Sequence, residues 1–582
     1  MTQLYVLLKM ENHLVILGCS ANKVAEPDLL PALSRYDGPY YRVINKFLRS
    51  SIWPTNLSVG VLSAKYGLIG GLTQIEYYNQ KMNRDRASEL KSSTTGTVLK
   101  WSEKHKNISL LLGKDYLEAL NFDILKKNKI AHKIVNGPIG LKLNHLHGLL
   151  RGFQSNPRNS APELPQKTPL YFLPDWDDVL DEDFDFTNDR FSHAKKSERN
   201  EKHCVRIMQP EKICDGILVS LAQNLGNKGF LRKFNSTDFG SLAPKSIREH
   251  YGLSRNQFAF GDCGAFSYVH KASPSISTEQ AVSLYQLHGF DLGASVDHIP
   301  LPDIVIDGEK KLLSISEREK RVEITKQNAL RFIELHQNKK CTFTPVGVIQ
   351  GISEESYAKQ LPEYIEAGYT HVAIGGLVPR SDAEIIKIIQ ELNKVRQNLR
   401  PGIQEKLWIH LFGIFRPNIQ EFIQSSKIAS FDSATYFRKA WLRSNQNYLG
   451  NNGEWYSAIR VPMTSDPRTI KRLKTSGLSI SKLEVLEQKA LKSLHSFAHK
   501  NENLNSVLNA IYEYDSLLTR NSEDSKKMIR SYAKTLTSRI WEKCGCPACK
   551  QTGIDVIIFR GCNRNKRRGA HNTLQLYKNI GK

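Results

Sequence analysis

The chain has no apolar run long enough to cross a membrane. Its first residues, Met-Thr-Gln-Leu-Tyr-Val-Leu-Leu-Lys, lack the basic start, apolar stretch and small-residue cleavage site of a secretory signal. These absences argue against a membrane or exported protein and lead us to expect a cytoplasmic one. Cysteine is scarce, nine in 582 residues, an odd number with three packed into six positions. That pattern suits thiols and a metal site in a reducing compartment better than a disulfide framework. Acid is in deficit as well: 58 Asp and Glu face 82 Lys and Arg, for a net charge of +24. An excess of that size generally accompanies a polyanionic partner, nucleic acid first. What the chain has in ordinary supply is core-forming residues, 40% hydrophobic, which excludes a disordered chain and suits three or four domain equivalents.

Residues 13–18, His-Leu-Val-Ile-Leu-Gly, read as a buried strand running into Cys19-Ser20-Ala21-Asn22-Lys23. A second strand over 58–62 runs into Ser63-Ala64-Lys65-Tyr66-Gly67-Leu68, with a helix-like 40–49 between them. This is the start of an α/β domain whose functional loops follow strands. Lys23, Lys65, Arg84 and Lys142 are candidates to gather phosphates around those loops, although spacing alone does not show that they converge. The Gly-Cys-Ser-x-x-Lys and Leu-Ser-Ala-Lys-Tyr-Gly-Leu motifs resemble those of small YaaA-like domains. Residues 155–168 turn to Ser, Asn, Pro and Gln without apolar periodicity and read as a linker. The acidic stretch after it, from Leu173 to Asp185, has no spaced His or Gly-turn pattern and reads as a solvated loop.

From Asp215 onward strand and helix alternate. Strand patterns lie at 216–220, 258–261, 293–296, 345–349, 371–374, 408–412 and 428–431, with helical stretches such as 277–288, 354–367 and 382–398 between most of them. Seven strands with such crossovers suggest a (β/α)8 TIM barrel with one strand unassigned; a doubly wound open sheet is the alternative. Three of these strands run into a carboxylate, Asp262, Asp297 and Asp432, and barrel enzymes present catalytic groups at strand ends.

Residues 466–543 show helical periodicity without a catalytic cluster and read as an insertion. Then come Cys544, Cys546 and Cys549, and after twenty-one further residues His571. Three thiolates within one turn closed by a distant imidazole form the tetrahedral set of a structural Zn2+, with Cys562 as the alternative fourth ligand. The run Lys566-Arg567-Arg568 inside that loop would hold positive charge on a rigid knob suited to nucleic-acid phosphates. The expected order is therefore an N-terminal α/β domain (1–154), the linker (155–168), a barrel (169–465), a helical insertion (466–543) and a zinc-binding subdomain (544–582).

At this point the chain resembles the tRNA-guanine transglycosylases, and more closely their DNA-modifying relatives, the DpdA family. Asp262-Cys-Gly resembles the family's Asp-Ser-Gly-Gly turn, Val348-Ile-Gln350-Gly351 its Val-Gln-Gly-Gly, and Ala373-Ile-Gly375-Gly376-Leu377 its Gly-Gly-Leu. Ser430-Phe-Asp432 resembles its Phe-Asp-Cys, and the Cys-x-Cys-x2-Cys with a distal His-Asn its zinc subdomain. The likeness covers about residues 170–582, with departures at Ala265, Ser267 and Ile352 and about a hundred residues between Asp432 and the zinc cysteines. These departures bear on tRNA recognition rather than on base exchange.

The resemblance implies exchange of guanine in DNA for 7-cyano-7-deazaguanine. Asp432 would be the nucleophile that forms a covalent glycosyl-aspartate, and Asp262 the general acid/base. Asp297, Gln350, and the backbone at Gly376 and Leu377 would read the base, with Phe266 and Tyr268 as stacking candidates. The expected partners are DNA and the free base, with room for other proteins of a DNA-modification system and with no membrane. The same exchange on tRNA is one alternative; a catalytically silent, zinc-stabilised DNA-binding module is the other.

Overall fold

Two sheets organise the chain, one open and mostly parallel, one closed and wholly parallel. The structure is a computed structural model that describes residues 12–51, 53–54, 56–152, 169–175, 178–222, 242, 246–442, 444–473, 479–518 and 522–580. The linker expected at 155–168 lies outside the described residues.

The open sheet contains β1 (His13–Gly18), β2 (Leu57–Ser63), β3 (Gly67–Gly70), β4 (Asn107–Leu111) and β5 (His132–Ile134) in the order β3-β2-β1-β4-β5. Only β3 is antiparallel to its neighbour. Strands buried on both faces need apolar side chains at every position, and β1 supplies them: Val15 and Leu17 join one core, Leu14 and Ile16 the other. Helices α1 (Pro39–Ser50) and α3 (Ile139–Gly152) contribute Ile44, Leu48, Leu146 and Leu150 to the first core. Helix α2 (Arg84–Ser102) contributes Leu90, Val98 and Trp101 to the second.

The closed sheet has eight parallel strands: β6 (Leu170–Pro174), β7 (Gly216–Ser220), β8 (Phe258–Asp262), β9 (Leu292–Ala294), β10 (Thr344–Ile349), β11 (His371–Ile374), β12 (Trp408–Leu411) and β13 (Ser430–Asp432). The unassigned strand is β6, which closes the barrel by pairing with both β7 and β13. Alternation divides each strand between two cores. Phe172, Leu218, Phe260, Val348 and Trp408 form one cluster in the barrel interior. Ile217, Val219, Ala259, Val372 and Ile409 belong to another, shared with the surrounding helices. Those helices include α4 (Thr278–His288), α5 (Ile315–Asn338) and α6 (Asp382–Gln397), each opened by a serine capping box at Ser277, Ser314 and Ser381. The open-sheet unit docks on α4 and α5: Gln286 Nε2 donates to the Leu48 carbonyl at 3.0 Å, and Arg331 lies 3.1 Å from both Glu26 and Glu279.

The chain then forms α7 (Ile480–Ala498), α8 (Leu504–Asp515), α9 (Ser522–Ser538) and, after the cysteines, α10 (Gly561–Asn579). Two expectations fail here. Lys566, Arg567 and Arg568 are not a knob of free charge, since each is buried on α10. Lys566 donates to the Val179 carbonyl at 2.6 Å, Arg567 to that of Glu182 at 2.9 Å, and Arg568 to those of Ala440 and Val556 at 2.6 and 3.0 Å. These bonds tie α10 to the segment 179–182 and to Ala440 and Val556, and commit the three cations to backbone carbonyls. The acidic stretch is not simply solvated either: Asp175, Asp178 and Asp181 are buried. Tyr251 donates to Asp175 at 2.7 Å, His203 Nε2 lies 2.6 Å from Asp178, and the Ser192 amide donates to Asp181 at 2.7 Å. Their partners come from residues distant in sequence, which local spacing does not reveal. Among the described residues no helix is long and apolar enough to cross a membrane.

Candidate active site

Asp262 and Asp432 are the last residues of β8 and β13, and Asp297 lies three residues beyond β9. All three line one cavity of about 590 Å³ at the carboxyl ends of the barrel strands, together with Gln350, Gly376, Phe266 and Arg438. This size suits a small ligand such as a nucleoside. The turn after Asp262 depends on Gly264, with φ +83°, where a Cβ would strike the Ser220 hydroxyl and Ala222. Phe266 is 55% exposed and free to meet a ligand, whereas Tyr268 is only 1% exposed. Tyr268 donates to the Asp297 carbonyl at 2.8 Å and so supports the site from behind instead of stacking. Leu377 is fully buried and is not among the residues that line the cavity.

Ligand-type atoms of Asp262, Cys263 and Asp297 lie within 4.8 Å of one another. Burial, then the nearby Asp297, pushes the Asp262 carboxyl up to about 7, with Asp432 adding to the effect. Burial also raises Asp297, although it accepts from the Cys263 thiol at 2.8 Å and from Gln350 Nε2 at 2.6 Å. The Cys263 thiol is pushed well up, first by burial and then by Asp297, so it stays protonated and donates to Asp297. Gln350 is fully buried, and with its amide nitrogen committed to Asp297 its Oε1 has no partner among the described residues. A buried acceptor left open beside an empty space is the signature of a group awaiting a donor.

Asp432 is held differently. One of its oxygens accepts from the Gly413 amide at 2.7 Å and from His410 Nε2 at 3.2 Å. A carboxylate can only accept, so Nε2 carries the proton and Nδ1 accepts from the Ser430 hydroxyl at 2.6 Å. His410 is fully buried and stacked on Trp408, and burial draws its pKa down despite Asp432, which leaves a neutral imidazole. Neither His410 nor Arg438 had been singled out from the sequence. The available signal was a polar residue in the apolar strand 408–412, on the same inward face as Trp408 and Phe412.

At the far end of the chain Cys544, Cys546, Cys549 and His571 are all buried, with their ligand atoms within 4.8 Å of one another. His571 Nδ1 lies 3.5, 3.4 and 3.3 Å from the three sulfurs, while Nε2 donates to the Leu449 carbonyl at 2.6 Å. That bond fixes the tautomer and turns the Nδ1 lone pair toward the sulfurs, as a metal ligand requires. The Tyr448 ring stacks on the imidazole at 4.3 Å. The group can hold a metal ion, and Cys562, which is exposed, is not part of it.

Among curated proteins, a DNA-guanine transglycosylase from Salmonella montevideo is 31% identical to this chain over 416 residues, 70% of this chain and 96% of that protein. No family model matches the chain.

Proposed function

The chain belongs to the DNA-guanine transglycosylase family, and on that premise we propose that it replaces a guanine in DNA with 7-cyano-7-deazaguanine. The observation that carries this reading is the single cavity with one carboxylate fixed by an imidazole and an amide, and another whose pKa sits near neutrality. These are the two roles that base exchange through a covalent intermediate requires.

Asp432 attacks C1′ of the target nucleotide as the C1′–N9 bond breaks, and protonated Asp262 gives its proton to the departing guanine. The incoming base then loses a proton to Asp262 and attacks C1′, which releases Asp432 as carboxylate. His410 and Gly413 position Asp432 by donating to one of its oxygens, so that the other faces the sugar. Gln350 Oε1 accepts from an N–H of the base, with Asp297 and the backbone at Gly376 on the same wall and Phe266 over the ring. A duplex hides this bond, so the nucleotide enters flipped out or single-stranded, and Arg438, which lines the cavity, meets a flanking phosphate.

Cys544, Cys546, Cys549 and His571 would hold Zn2+, which would supply a structural crosslink and take no part in the reaction. The donor set of three sulfurs and one imidazole nitrogen, with His571 oriented by its bond to the Leu449 carbonyl, supports that assignment.

The test is a choice of substrate. The enzyme is given isotopically labelled 7-cyano-7-deazaguanine with DNA or tRNA, and the nucleosides are analysed by mass after digestion. Label in deoxynucleosides is the expected result. Label in tRNA alone would replace the substrate and keep the chemistry, whereas label in neither polymer, with DNA still bound, would favour a silent binding module.

A further inference from the structure

At the carboxyl edge of the open sheet, the loops that follow β1 and β2 each carry a lysine, and both ammonium groups gather over one ring. Lys23 Nζ lies 4.4 Å and Lys65 Nζ 5.9 Å from the centre of Tyr78. The other two basic candidates go elsewhere. Lys142 donates to the Leu112 carbonyl at 2.6 Å, and Arg84 is an exposed residue of the first turn of α2. Beneath the lysines, the Tyr78 hydroxyl lies 2.7 Å from that of Tyr36 and 2.9 Å from that of Ser63. Next to them Cys19 Sγ meets the Tyr116 hydroxyl at 3.1 Å. That contact joins the loops after β1 and β4, which are neighbours on the far side of β1 from β2; the chain crosses over to β4 only after β3, through α2. Open α/β sheets bind their ligands at such a point.

Both lysine loops are stapled in place by an arginine. Buried Arg35 donates to the carbonyls of Val24 at 2.6 Å, Glu26 at 2.7 Å and Asp28, and the Lys23 backbone is bridged to Tyr36. Arg86 donates to the Ala64 and Lys65 carbonyls at 2.7 and 3.0 Å. Preorganised loops are what a binding site needs and what a bare surface does not. The charge is also unbalanced. Lys65 has an exposed carboxylate, Glu76, at 3.4 Å. Lys23 donates to the Ala21 carbonyl at 3.4 Å and otherwise meets the Tyr78 and Tyr36 rings, and partial burial draws its pKa down. Two ammonium groups near one ring, with one carboxylate beside them, favour an anion there.

We infer that this edge is a binding site for a small phosphate monoester, its phosphate spanning Lys23 and Lys65 above the Tyr78 hydroxyl network. A phosphate monoester carries about −1.5 to −2 charges at neutral pH, which matches two ammonium groups better than a carboxylate does. Lysines act here as point charges on phosphate rather than as planar forks.

The test uses the full chain and adenosine 5′-monophosphate, with adenosine as the control for a nucleoside entering the barrel cavity. Calorimetry should show saturable binding of the monophosphate and none of adenosine. Lys23→Ala and Lys65→Ala should each weaken binding tenfold or more, while Arg84→Ala should leave it unchanged. In the wild-type protein the monophosphate should also protect Cys19 from alkylation, read by peptide mass; this holds even if a lysine variant does not fold. The inference is overturned if the wild type does not bind the monophosphate, if affinity survives Lys23→Ala and Lys65→Ala together, if adenosine binds equally well, or if Cys19 alkylates at the same rate with and without it.

Discussion

The barrel mouth and the Cys544 to His571 knot both gather buried titratable groups, yet they are finished in opposite ways. In the knot every donor has its place: three sulfurs face Nδ1, the other imidazole nitrogen is tied to Leu449, and Tyr448 covers the ring. At the barrel mouth the groups are left open, with Gln350 Oε1 lacking a partner among the described residues and the Asp262 carboxyl held near neutrality. A closed set of ligands stabilises a fold, whereas an open set stores interactions for something that is yet to arrive. The same contrast divides the basic residues, since Lys566, Arg567 and Arg568 are spent on backbone carbonyls.

If the contrast is right, Asp432→Asn gives the largest and cleanest effect. Exchange and the covalent adduct should fall below detection while Tm, metal content and DNA binding stay near wild type. An adduct still formed by the Asn variant would move the nucleophile, to Asp262 first. Cys546→Ser should do the reverse and act on the fold, since a structural zinc contributes on the order of 10 kcal/mol of apparent binding free energy. Metal analysis and thermal melts should find a metal-free protein that is insoluble or melts far lower. A metal-free chain that is folded and active would remove the structural role.

Arg568→Ala is next in size. It opens a gap beneath α10 and leaves the Ala440 and Val556 carbonyls without their charged donor, at roughly 3 kcal/mol. Tm should fall while the salt dependence of DNA binding keeps its slope; a shallower slope at unchanged Tm would restore the phosphate role.

The smallest effect on stability, and the one that depends on pH, is expected of Asp262→Asn. With the carboxyl raised from 3.8 to about 7, the unfolded chain loses its proton first as pH rises. Wild-type stability therefore declines between those two values and levels off above 7, by on the order of a few kcal/mol. The Asn variant should melt higher than wild type at pH 8, the gap closing by pH 4, and its exchange activity should be lost at both. An equal gap at both pH values would show that Asp262 does not ionise with a raised pKa.

Much of the barrel was legible because a buried parallel strand requires a run of apolar residues, and seven such runs stood out with helices between them. The eighth, Leu170–Pro174, was missed because it runs straight into Asp175, and the acids beyond it drew the reading toward a loop. Strand ends carried Asp262, Asp297 and Asp432 into view, and the cysteine spacing showed a metal set, although only the structure decided for His571 over Cys562 as its fourth member. Spacing could not show that Arg567 would turn inward or that Lys23 and Lys65 would both approach the Tyr78 ring.

The sequence by itself determined the chemistry available to this protein: which strands end on carboxylates, which residues can bind a metal, and how far positive charge exceeds negative. Those properties are local, set by residue type and by periods of a few residues. Only the tertiary structure decided which charges are spent and which are open. His410 finds Asp432 across the β12–β13 pair, twenty-two residues on, and Arg567 finds the Glu182 carbonyl from 385 residues away. Partners so far apart in the chain are chosen by how the sheets and helices pack, and no local pattern encodes that choice.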